Sequence, residues 1–329
     1  KIIMQALFYD EYGDISKMKI GVKPRPVPGP KDLLVHMRGA GLNPVDYKLR
    51  NHWIPDWPQA LPIITGWDVA GVVVEIGSEV QNFKVGDEVY AYNRPAFDDA
   101  AHAPTESPIG VDGCCAEYVR VAEWKAAQKP KSVSFAEASG IPLACLTSYQ
   151  AIFEHGNLQP GQNLLVLNAS GGTGSFAVQL AVNRGCNVVG TCSSRNKEFV
   201  ESLGATVIDY TSGNVVEQLK AIFPNGADVV YDCIGGDQTQ IGVDCVSENG
   251  VIVSIAHFTV HEVAAAAGKR GVAFLVKVSG QQLTEIADLV DQGKLKVARV
   301  TEFPFQRAIE AFEILETHRV TGKVVLTNA

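Results

Sequence analysis

A glycine-rich turn in the middle of the chain has the residue types and spacing of a phosphate-binding loop. Residues 168–174 read Asn-Ala-Ser-Gly-Gly-Thr-Gly, between an apolar run at 163–167 and a helical pattern at 176–183. Without Cβ atoms the backbone can approach a pyrophosphate, and the following helix N-terminus offers free N–H groups and a positive dipole end. Asn168 stands where a first glycine is expected. This setting predicts a dinucleotide site, against the alternative of a structural turn, that includes Ser170, Gly171, Gly172, Thr173 and Gly174.

The end of the next strand indicates which dinucleotide binds. An NAD site places Asp or Glu about 20 residues beyond the turn, where it accepts a hydrogen bond from the ribose 2′-hydroxyl. Residues 191–197 here read Thr-Cys-Ser-Ser-Arg-Asn-Lys, with no acid. Hydroxyls and cations can bind a 2′-phosphate, which a carboxylate would repel. We therefore expect NADPH, held in part by Ser193, Ser194, Arg195 and Lys197; the alternative for the cations is a solvated helix start.

The cysteines do not have the spacing of a metal site or a disulfide framework. There are seven, an odd number, and several lie in apolar strand-like runs. Buried, reduced thiols in a cytosolic protein account for this pattern. The adjacent pair Cys114 and Cys115 lacks the C-x-x-C spacing of a structural zinc site.

The elements that must position these residues fall into two patterns. Residues 1–125 contain short apolar runs bounded by Gly and Pro, such as 33–37 and 69–76, which predict a barrel-like β domain. From residue 126 strands and helices alternate, which predicts βαβ units and a parallel sheet. We predict strands at 163–167, 187–192, 206–208, 227–233, 251–255, 272–276 and 323–327, and helices at 176–183, 196–203, 215–223, 281–292 and 305–317. Residues 93–113 form a long aperiodic stretch, either functional or a surface insertion.

Length and composition limit the function classes. The 329 residues are enough for about two domains, with 46% hydrophobic and 19% charged residues. The net charge of −8 argues against nucleic acid as a partner, because phosphate backbones require clustered Lys and Arg. No apolar run reaches the ~18 residues of a membrane span, and the first residues lack a signal-peptide pattern. We expect a cytoplasmic protein with no membrane partner.

Several stretches together resemble the medium-chain dehydrogenase/reductase superfamily, and in particular its zinc-independent quinone oxidoreductase and alkenal/enone reductase branch. The resemblance covers nearly the whole length. The matching stretches are the glycine turn, Gly-Leu-Asn-Pro-Val-Asp-Tyr-Lys at 41–48, Gly-Trp-Asp-Val-Ala-Gly-Val-Val at 66–73, Val-Gly-Asp-Glu-Val at 85–89, Pro-Leu-Ala-Cys-Leu-Thr-Ser-Tyr at 142–149 and Gly-Lys-Val-Val-Leu at 322–326.

The resemblance implies an α/β fold in which a Rossmann domain, a doubly wound parallel sheet that binds NADPH, is inserted into a GroES-like β-rich catalytic domain. The expected segments are 1–125 for the first part of the catalytic domain, 126–268 for the Rossmann domain and 269–329 for the return. Family members bind substrate between the two domains. They are commonly homodimers or homotetramers, and many dimers pair through the sheet edge that corresponds to 251–276.

The resemblance also implies that no metal is used. Zinc members carry a Cys in the segment that corresponds to 41–48, where this chain has Asn43 and Asp46. They carry Gly-His-Glu where this chain has Gly66, Trp67 and Asp68, and tryptophan cannot ligate zinc.

Individual roles follow from the same resemblance. Tyr47 and Asn43 would donate hydrogen bonds to the substrate oxygen, with the alternative that Tyr47 closes an apolar wall and that Asn43 and Asp46 fix a turn around Pro44. The expected substrate pocket consists of Asp46, Lys48, Trp53 and Trp67. Thr147 would lie beside the nicotinamide, and Tyr210 would join Ser193 and Arg195 at the adenosine-side phosphate. The remaining expected cofactor residues are Cys233, Ile255, Ala256 and Lys323.

The resulting hypothesis is hydride transfer from NADPH to a quinone without a metal ion. A quinone or enone delocalises the charge that develops on its oxygen, so it needs less help than an unactivated carbonyl would need from a Lewis acid. Two alternatives remain open. One is an NADPH-dependent 2-alkenal or enone reductase. The other is a binding factor that holds NADPH with little turnover, because fold alone does not fix activity.

Overall fold

The computed structural model describes residues 2–57, 61–95, 112–297 and 299–328. Residues 96–111 of the predicted long loop at 93–113 therefore lie outside the described residues. The described strands are β1 Ile3–Tyr9, β2 Lys19–Pro24, β3 Asp32–Gly41, β4 Ile63–Ile64, β5 Asp68–Ile76, β6 Glu88–Tyr92, β7 Tyr118–Ala122, β8 Ala126–Gln128, β9 Asn163–Leu167, β10 Asn187–Cys192, β11 Thr206–Asp209, β12 Ala227–Asp232, β13 Val246–Ser254, β14 Arg270–Ala273, β15 Val300–Pro304 and β16 Lys323–Thr327. The helices are α1 Pro44–Arg50, α2 Phe135–Ser139, α3 Pro142–Tyr149, α4 Gly172–Asn183, α5 Lys197–Ser202, α6 Val215–Ile222, α7 Asp237–Cys245, α8 Val260–Ala266, α9 Gly280–Asp291 and α10 Ala308–Glu316.

The chain divides into two compact units. Unit 1 contains residues 1–143, 277–293 and 299–329, and unit 2 contains residues 144–276 and 294–298. The sequence indicated breaks at 125/126 and 268/269. Residues 126–143 go with unit 1 because β8 pairs with β6 in its sheet. Residues 270–273 go with unit 2 because β14 pairs in parallel with β13.

Unit 2 is built on a parallel sheet of six strands, in the order β11-β10-β9-β12-β13-β14. Every pairing in it is parallel, which confirms the prediction made from the alternation of strands and helices. Read in chain order the strands run 3-2-1-4-5-6, the order of the Rossmann fold. One apolar core combines strand side chains such as Leu165, Val189 and Ile252 with Leu219 of α6 and Val243 of α7, all of them buried.

Unit 1 is β-rich. Its larger sheet has the order β15-β16-β3-β5-β6-β8, with β7 also paired to β3, and a smaller sheet has the order β2-β1-β4. The C-terminal strand β16 pairs antiparallel with β3, Val325 opposite Gly41. The last strand of the chain thereby joins the sheet that contains β3, from the first part of the chain, and this return fits the GroES-like expectation.

No helix in the described part of the chain is long and apolar enough to span a bilayer.

Candidate functional site

The glycine turn lies at the carboxyl end of β9 and leads directly into α4. Asn168 adopts φ 66°, a left-handed conformation that Asn tolerates better than most residues. Gly171 is the N-cap of α4 and no side chain caps the helix. A Cβ on Gly174 would lie 2.1 Å from the Asn168 carbonyl oxygen. Glycine is therefore required for α4 to start this close to the strand, with its N–H groups open to an anion.

The position of the turn in the sheet matches a dinucleotide site. From β9 the chain proceeds to β10 and β11 on one side, and β12, β13 and β14 lie on the other. The carboxyl ends of β9 and β12 therefore flank the point where the strand order reverses, which is where open α/β sheets bind their ligands. The glycine turn follows β9, and residues 233–236 follow β12.

Three residues that the sequence did not single out support the turn from neighbouring elements. The Asn168 N–H donates to Thr191 Oγ1 at 3.0 Å, and Asn196 Nδ2 donates to Ser170 Oγ at 3.1 Å. The Ser148 hydroxyl, in α3, donates to the Thr173 carbonyl at 2.7 Å. Thr191 could have been identified from the sequence as a polar residue at the end of a predicted strand. Nothing in the sequence pointed to Ser148.

The predicted phosphate-binding residues after β10 are mostly exposed. Ser194, Arg195 and Lys197 are open to solvent, and the Lys197 amine lies 3.8 Å from Glu201. Arg195 forms no ion pair with the described residues. Tyr210, which follows β11, is 54% exposed. Ser194, Arg195 and Tyr210 can therefore reach a ligand without leaving a side-chain partner among the described residues, whereas Lys197 would have to leave Glu201.

An acid that the sequence analysis did not consider also lies in this region. Asp209 ends β11, the strand beside β10. Its carboxylate accepts hydrogen bonds from the Thr211 hydroxyl at 2.6 Å and the Thr211 N–H at 2.9 Å, and these bonds lower its pKa. The sequence motif looks for an Asp or Glu at the end of the strand that follows the glycine turn. It therefore could not find an acid that the neighbouring strand contributes.

The other cofactor candidates of unit 2 follow β12 and β13, beside the reversal point. Burial raises the pKa of the Cys233 thiol to about 12, so this thiol stays neutral. The Ile255 N–H donates to the Asp232 carbonyl at 3.1 Å, which joins the ends of these two strands, and Ala256 comes next. Thr147 is buried in α3.

In unit 1 the predicted catalytic segment forms helix α1, whose first turn is locked by its own side chains. Asn43 is the N-cap with extended backbone angles, and Pro44 takes the first helical position, where its missing N–H costs nothing. The Asp46 carboxylate accepts the Asn43 N–H at 2.8 Å. Asn43 and Asp46 therefore cap a helix that begins at Pro44, where a simple turn was the expected alternative.

Four buried polar side chains meet beneath α1, and we refer to Asn43, Asp46, Asp68 and Lys323 as the Lys323 cluster. Lys323 Nζ donates to Asn43 Oδ1 at 2.5 Å and to the Leu42 carbonyl at 2.9 Å. Asn43 Nδ2 donates to Asp68 Oδ2 at 2.9 Å, and the Lys323 ammonium lies 3.9 Å from the same oxygen. The other Asp68 oxygen accepts the Leu143 N–H at 2.9 Å. All four residues are at most 4% exposed.

Burial shifts the titration of this cluster. Loss of hydration raises the pKa of Asp46 to about 7, with a smaller upward contribution from the Asp68 charge. It raises the pKa of Asp68 to about 6, against the opposing effect of the Lys323 ammonium. The pKa of Lys323 is lowered by the same burial. Two carboxyl groups and one ammonium in a dry site favour one retained proton at neutral pH.

These contacts change the roles expected for two residues. The Asn43 carboxamide accepts from Lys323, and its amide nitrogen donates to Asp68 and, at 3.4 Å, to the Gly41 carbonyl, so both of its N–H groups already have acceptors inside unit 1. Lys323, expected at the cofactor, directs its ammonium into the cluster. Both residues fix α1 from within unit 1.

Tyr47, which is 3% exposed, and Lys48 are the two residues of α1 whose side-chain donors have no partner among the described residues. The Tyr47 ring meets Trp53 and His318 edge-on, with centroids 6.1 and 5.8 Å away, and its hydroxyl has no hydrogen-bond partner among the described residues. Burial, then the Glu316 charge, raises its pKa, so the phenol keeps its proton. Lys48 is half-buried without an acidic partner among the described residues, and burial lowers its pKa. Both groups can therefore donate a proton or a hydrogen bond.

The tryptophans predicted to line a pocket differ in exposure. Trp67 is buried, stacked on Trp57 at a centroid distance of 5.8 Å and edge-on to Tyr92. Trp53 is 63% exposed and could meet a ligand.

The donor set beneath α1 does not suit a metal cation. An ammonium occupies its centre, Asn43 is already engaged, and the thiols of Cys114 and Cys115 have pKa values raised by burial. Within the described residues no group of three or more His, Cys, Asp or Glu side chains has the arrangement needed to hold a metal ion.

Comparison with known proteins places the chain among dehydrogenases. Residues 29–131 match the family model of the alcohol dehydrogenase GroES-like domain, and residues 203–326 match that of the zinc-binding dehydrogenase. The second name mentions zinc, but the donor set just described is not a zinc site.

Individual relatives align over nearly the whole chain. A 2-methylene-furan-3-one reductase of Solanum lycopersicum is 36% identical over 98% of this chain and 79% of its own length. The NADPH-dependent alkenal/one oxidoreductase of Arabidopsis thaliana shows the same identity and coverage. Quinone-oxidoreductase QR1 of Triphysaria versicolor is 34% identical over 98% of both chains. The solved quinone oxidoreductase of Coxiella burnetii superposes with a TM-score of 0.86 at 30% identity and covers both chains fully.

Proposed function

The chain belongs to the zinc-independent quinone and enone reductase branch of the medium-chain dehydrogenase/reductase superfamily, and on that premise we propose that it transfers hydride from NADPH to a quinone without a metal ion. The observation that carries the proposal is the glycine turn at the reversal point of a 3-2-1-4-5-6 parallel sheet, followed after the next strand by the exposed side chains of Ser194 and Arg195. The names of several relatives, which specify NADPH, quinones or alkenals and enones, support it.

NADPH fits the residues of unit 2. The open N-terminus of α4 suits the pyrophosphate, and Arg195 with Ser193 and Ser194 suits the 2′-phosphate. Asp209, whose hydrogen bonds from Thr211 lower its pKa, keeps its negative charge and counts against a phosphate beside β11. We therefore place the 2′-phosphate on the groups that follow β10. When bound, NADPH supplies the hydride, and the residues of this chain orient it.

The acceptor oxygen is stabilised by donors of α1. Tyr47 carries a protonated hydroxyl without a partner among the described residues, and Lys48 carries an amine whose pKa is lowered by burial. Such donors stabilise negative charge less than a Lewis-acidic metal does, so an acceptor that spreads the charge over a conjugated system is favoured. Asn43 serves as a positioning residue for α1.

A second candidate substrate class is a 2-alkenal or enone. Two relatives at 36% identity bear names of this kind. Reduction of the conjugated C=C bond needs a proton as well as a hydride. The half-buried amine of Lys48, with its lowered pKa, can deliver that proton more readily than an exposed lysine.

The first experiment follows oxidation of NADPH and NADH with benzoquinone, phenanthrenequinone and a 2-alkenal, each with and without EDTA. We expect EDTA-resistant turnover with NADPH preferred. Faster turnover of the quinones supports the first substrate class, and faster turnover of the alkenal supports the second. Loss of activity with EDTA contradicts a metal-free reaction. Tight NADPH binding without turnover on any acceptor indicates the binding-factor alternative.

The cofactor preference is tested at Arg195. R195A should weaken NADPH binding by about 10- to 100-fold and leave NADH almost unchanged, because only NADPH carries the phosphate that Arg195 is proposed to bind. R195K keeps the charge but not the planar guanidinium, so its affinity for NADPH should lie between those of the wild type and R195A. Equal losses for both cofactors would place Arg195 outside the 2′-phosphate site.

The oligomeric state and the cellular location of the protein are inferred from its sequence. We propose a homodimer or homotetramer, which light scattering at assay concentration can test. We propose a cytoplasmic location, although several relatives carry chloroplast in their names; fractionation of cells that express the full-length protein distinguishes the two.

A further inference from the structure

Asp232 lies at the end of β12 with its carboxylate completely surrounded by protein donors. One oxygen accepts the N–H groups of Ile234 at 3.0 Å and Gly235 at 2.9 Å. The other accepts the hydroxyls of Thr239 at 2.7 Å and Ser254 at 2.9 Å. A carboxylate offers about four acceptor positions, so its capacity is filled. The residue is 0% exposed, and it therefore acts on the protein rather than on a ligand.

Ser254 extends this arrangement to the next strand. It ends β13, and its hydroxyl oxygen accepts the N–H groups of Ala256 at 3.3 Å and His257 at 3.0 Å. The same hydroxyl donates to Asp232. One carboxylate and one hydroxyl therefore hold the turn after β12, the first turn of α7 and the turn after β13 in a single hydrogen-bonded unit.

The turn after β12 has an unusual backbone, and it packs closely against the turn after β13. Gly235 and Gly236 adopt φ values of 78° and 57°, in the left-handed region. A Cβ on Gly235 would lie 2.7 Å from the Ala256 carbonyl oxygen, so the turns are in direct contact. Hydrogen bonds to a buried carboxylate compensate for its lost hydration and fix such a turn in one conformation.

These turns lie on the β12 side of the reversal point, and the glycine turn lies on the β9 side. A dinucleotide bound with its pyrophosphate at the glycine turn and its 2′-phosphate beyond β10 must place its nicotinamide half on the β12 side. We propose that Asp232, acting through Ser254, is the positioning residue for the two turns that receive the nicotinamide half of NADPH. The inference rests on the proposed function for the identity of the cofactor.

The test compares two ligands and three variants. NADPH occupies both halves of the site, whereas 2′,5′-ADP occupies only the adenosine half. S254A removes the link between the turns but leaves three donors on Asp232. D232N keeps the shape but presents an amide donor to two hydroxyls. D228N is the matched control. Asp228 lies near the amino end of the same strand, away from the turns, and its carboxylate accepts the Asn163 N–H at 2.8 Å.

In S254A and D232N the dissociation constant for NADPH should rise about tenfold, and that for 2′,5′-ADP should stay within about twofold. D228N should change neither. With NADPH deuterated at the transferred position, the isotope effect on turnover should grow in S254A, because hydride transfer becomes slower relative to other steps. Equal weakening of both ligands, or unchanged NADPH binding in both variants, overturns the positioning role. If the wild type binds NADPH but turns over no acceptor, the proposed activity fails, and the ligand comparison still decides the role of Asp232.

Discussion

At the scale of single residues, Tyr47 is the strongest candidate for a group that touches the substrate. Its ring is fixed by Trp53 and His318, and its hydroxyl has no partner among the described residues. Y47F keeps the ring and removes only the hydroxyl. We expect kcat for quinone reduction to fall about 10- to 100-fold with little change in NADPH affinity, because one donor to the developing oxyanion is lost.

The control for this substitution is Y12F. Tyr12 is another tyrosine of unit 1, with its ring 4.1 Å from that of His52. It should leave kcat unchanged. If Y47F retains full activity and K48M loses it, the donor is Lys48 rather than Tyr47.

The residue types of the site were partly predictable, but their partners were not. The stretch at 41–48 indicated that Asn43 and Tyr47 matter. Only the structure shows that the Asn43 carboxamide is enclosed between Lys323 and Asp68, residues 280 and 25 positions away. Periodicity and motifs describe neighbours along the chain, so they could not reveal a cluster assembled from three distant segments.

At the scale of elements, hydrophobic patterning located the strands of the parallel sheet well. Strands β9 and β10 have the predicted bounds, 163–167 and 187–192. Helix α7 was not predicted, because Asp237–Cys245 is a polar sequence with little amphipathic contrast. Strand β14 was assigned to the returning segment, since a short edge strand carries no signal of which sheet it joins.

The packing of α4 against β9 gives a prediction at this scale. G174A should lower the free energy of unfolding by about 1–3 kcal/mol and weaken NADPH binding, because the new Cβ meets the fixed carbonyl of Asn168 and must displace the helix. G171A is the matched variant, since its Cβ would meet only the Asn168 side-chain amide, which can rotate. Thermal unfolding should rank G174A below G171A; the reverse order would show that the helix is free to shift.

At the scale of the whole molecule, the Lys323 cluster connects the two ends of the chain within unit 1. Lys323 opens the final strand β16, whereas Asn43 and Asp46 belong to the start of α1, and Asp68 opens β5. A buried ion cluster stabilises a fold less than its contacts suggest, because its charges have lost their hydration. The titration of the Lys323 cluster should, however, make the free energy of unfolding depend on pH.

That dependence can be predicted in sign. The pKa of Asp46 is about 7 in the folded chain against an ordinary value of 3.8. Between these values the folded chain binds a proton that the unfolded chain has released, so stability from this group falls as pH rises. Between about pH 5 and about pH 6 the free energy of unfolding should decline by about 1.4 kcal/mol per pH unit from this proton, and the slope should fall to about half of that near pH 7. D46N, which remains neutral, should flatten the decline, as chemical denaturation across this range would measure.

The matched control is D14N. The hydrogen bond from the Ser16 hydroxyl holds the pKa of Asp14 below its ordinary value, so Asp14 stays ionised throughout the range and its replacement should leave the slope unchanged. If D46N shows the same decline as the wild type, the retained proton belongs to Asp68, and D68N should then flatten the decline instead. If neither variant alters the slope, the cluster is fully ionised in the folded chain, and the Lys323 ammonium offsets both carboxylates despite their burial.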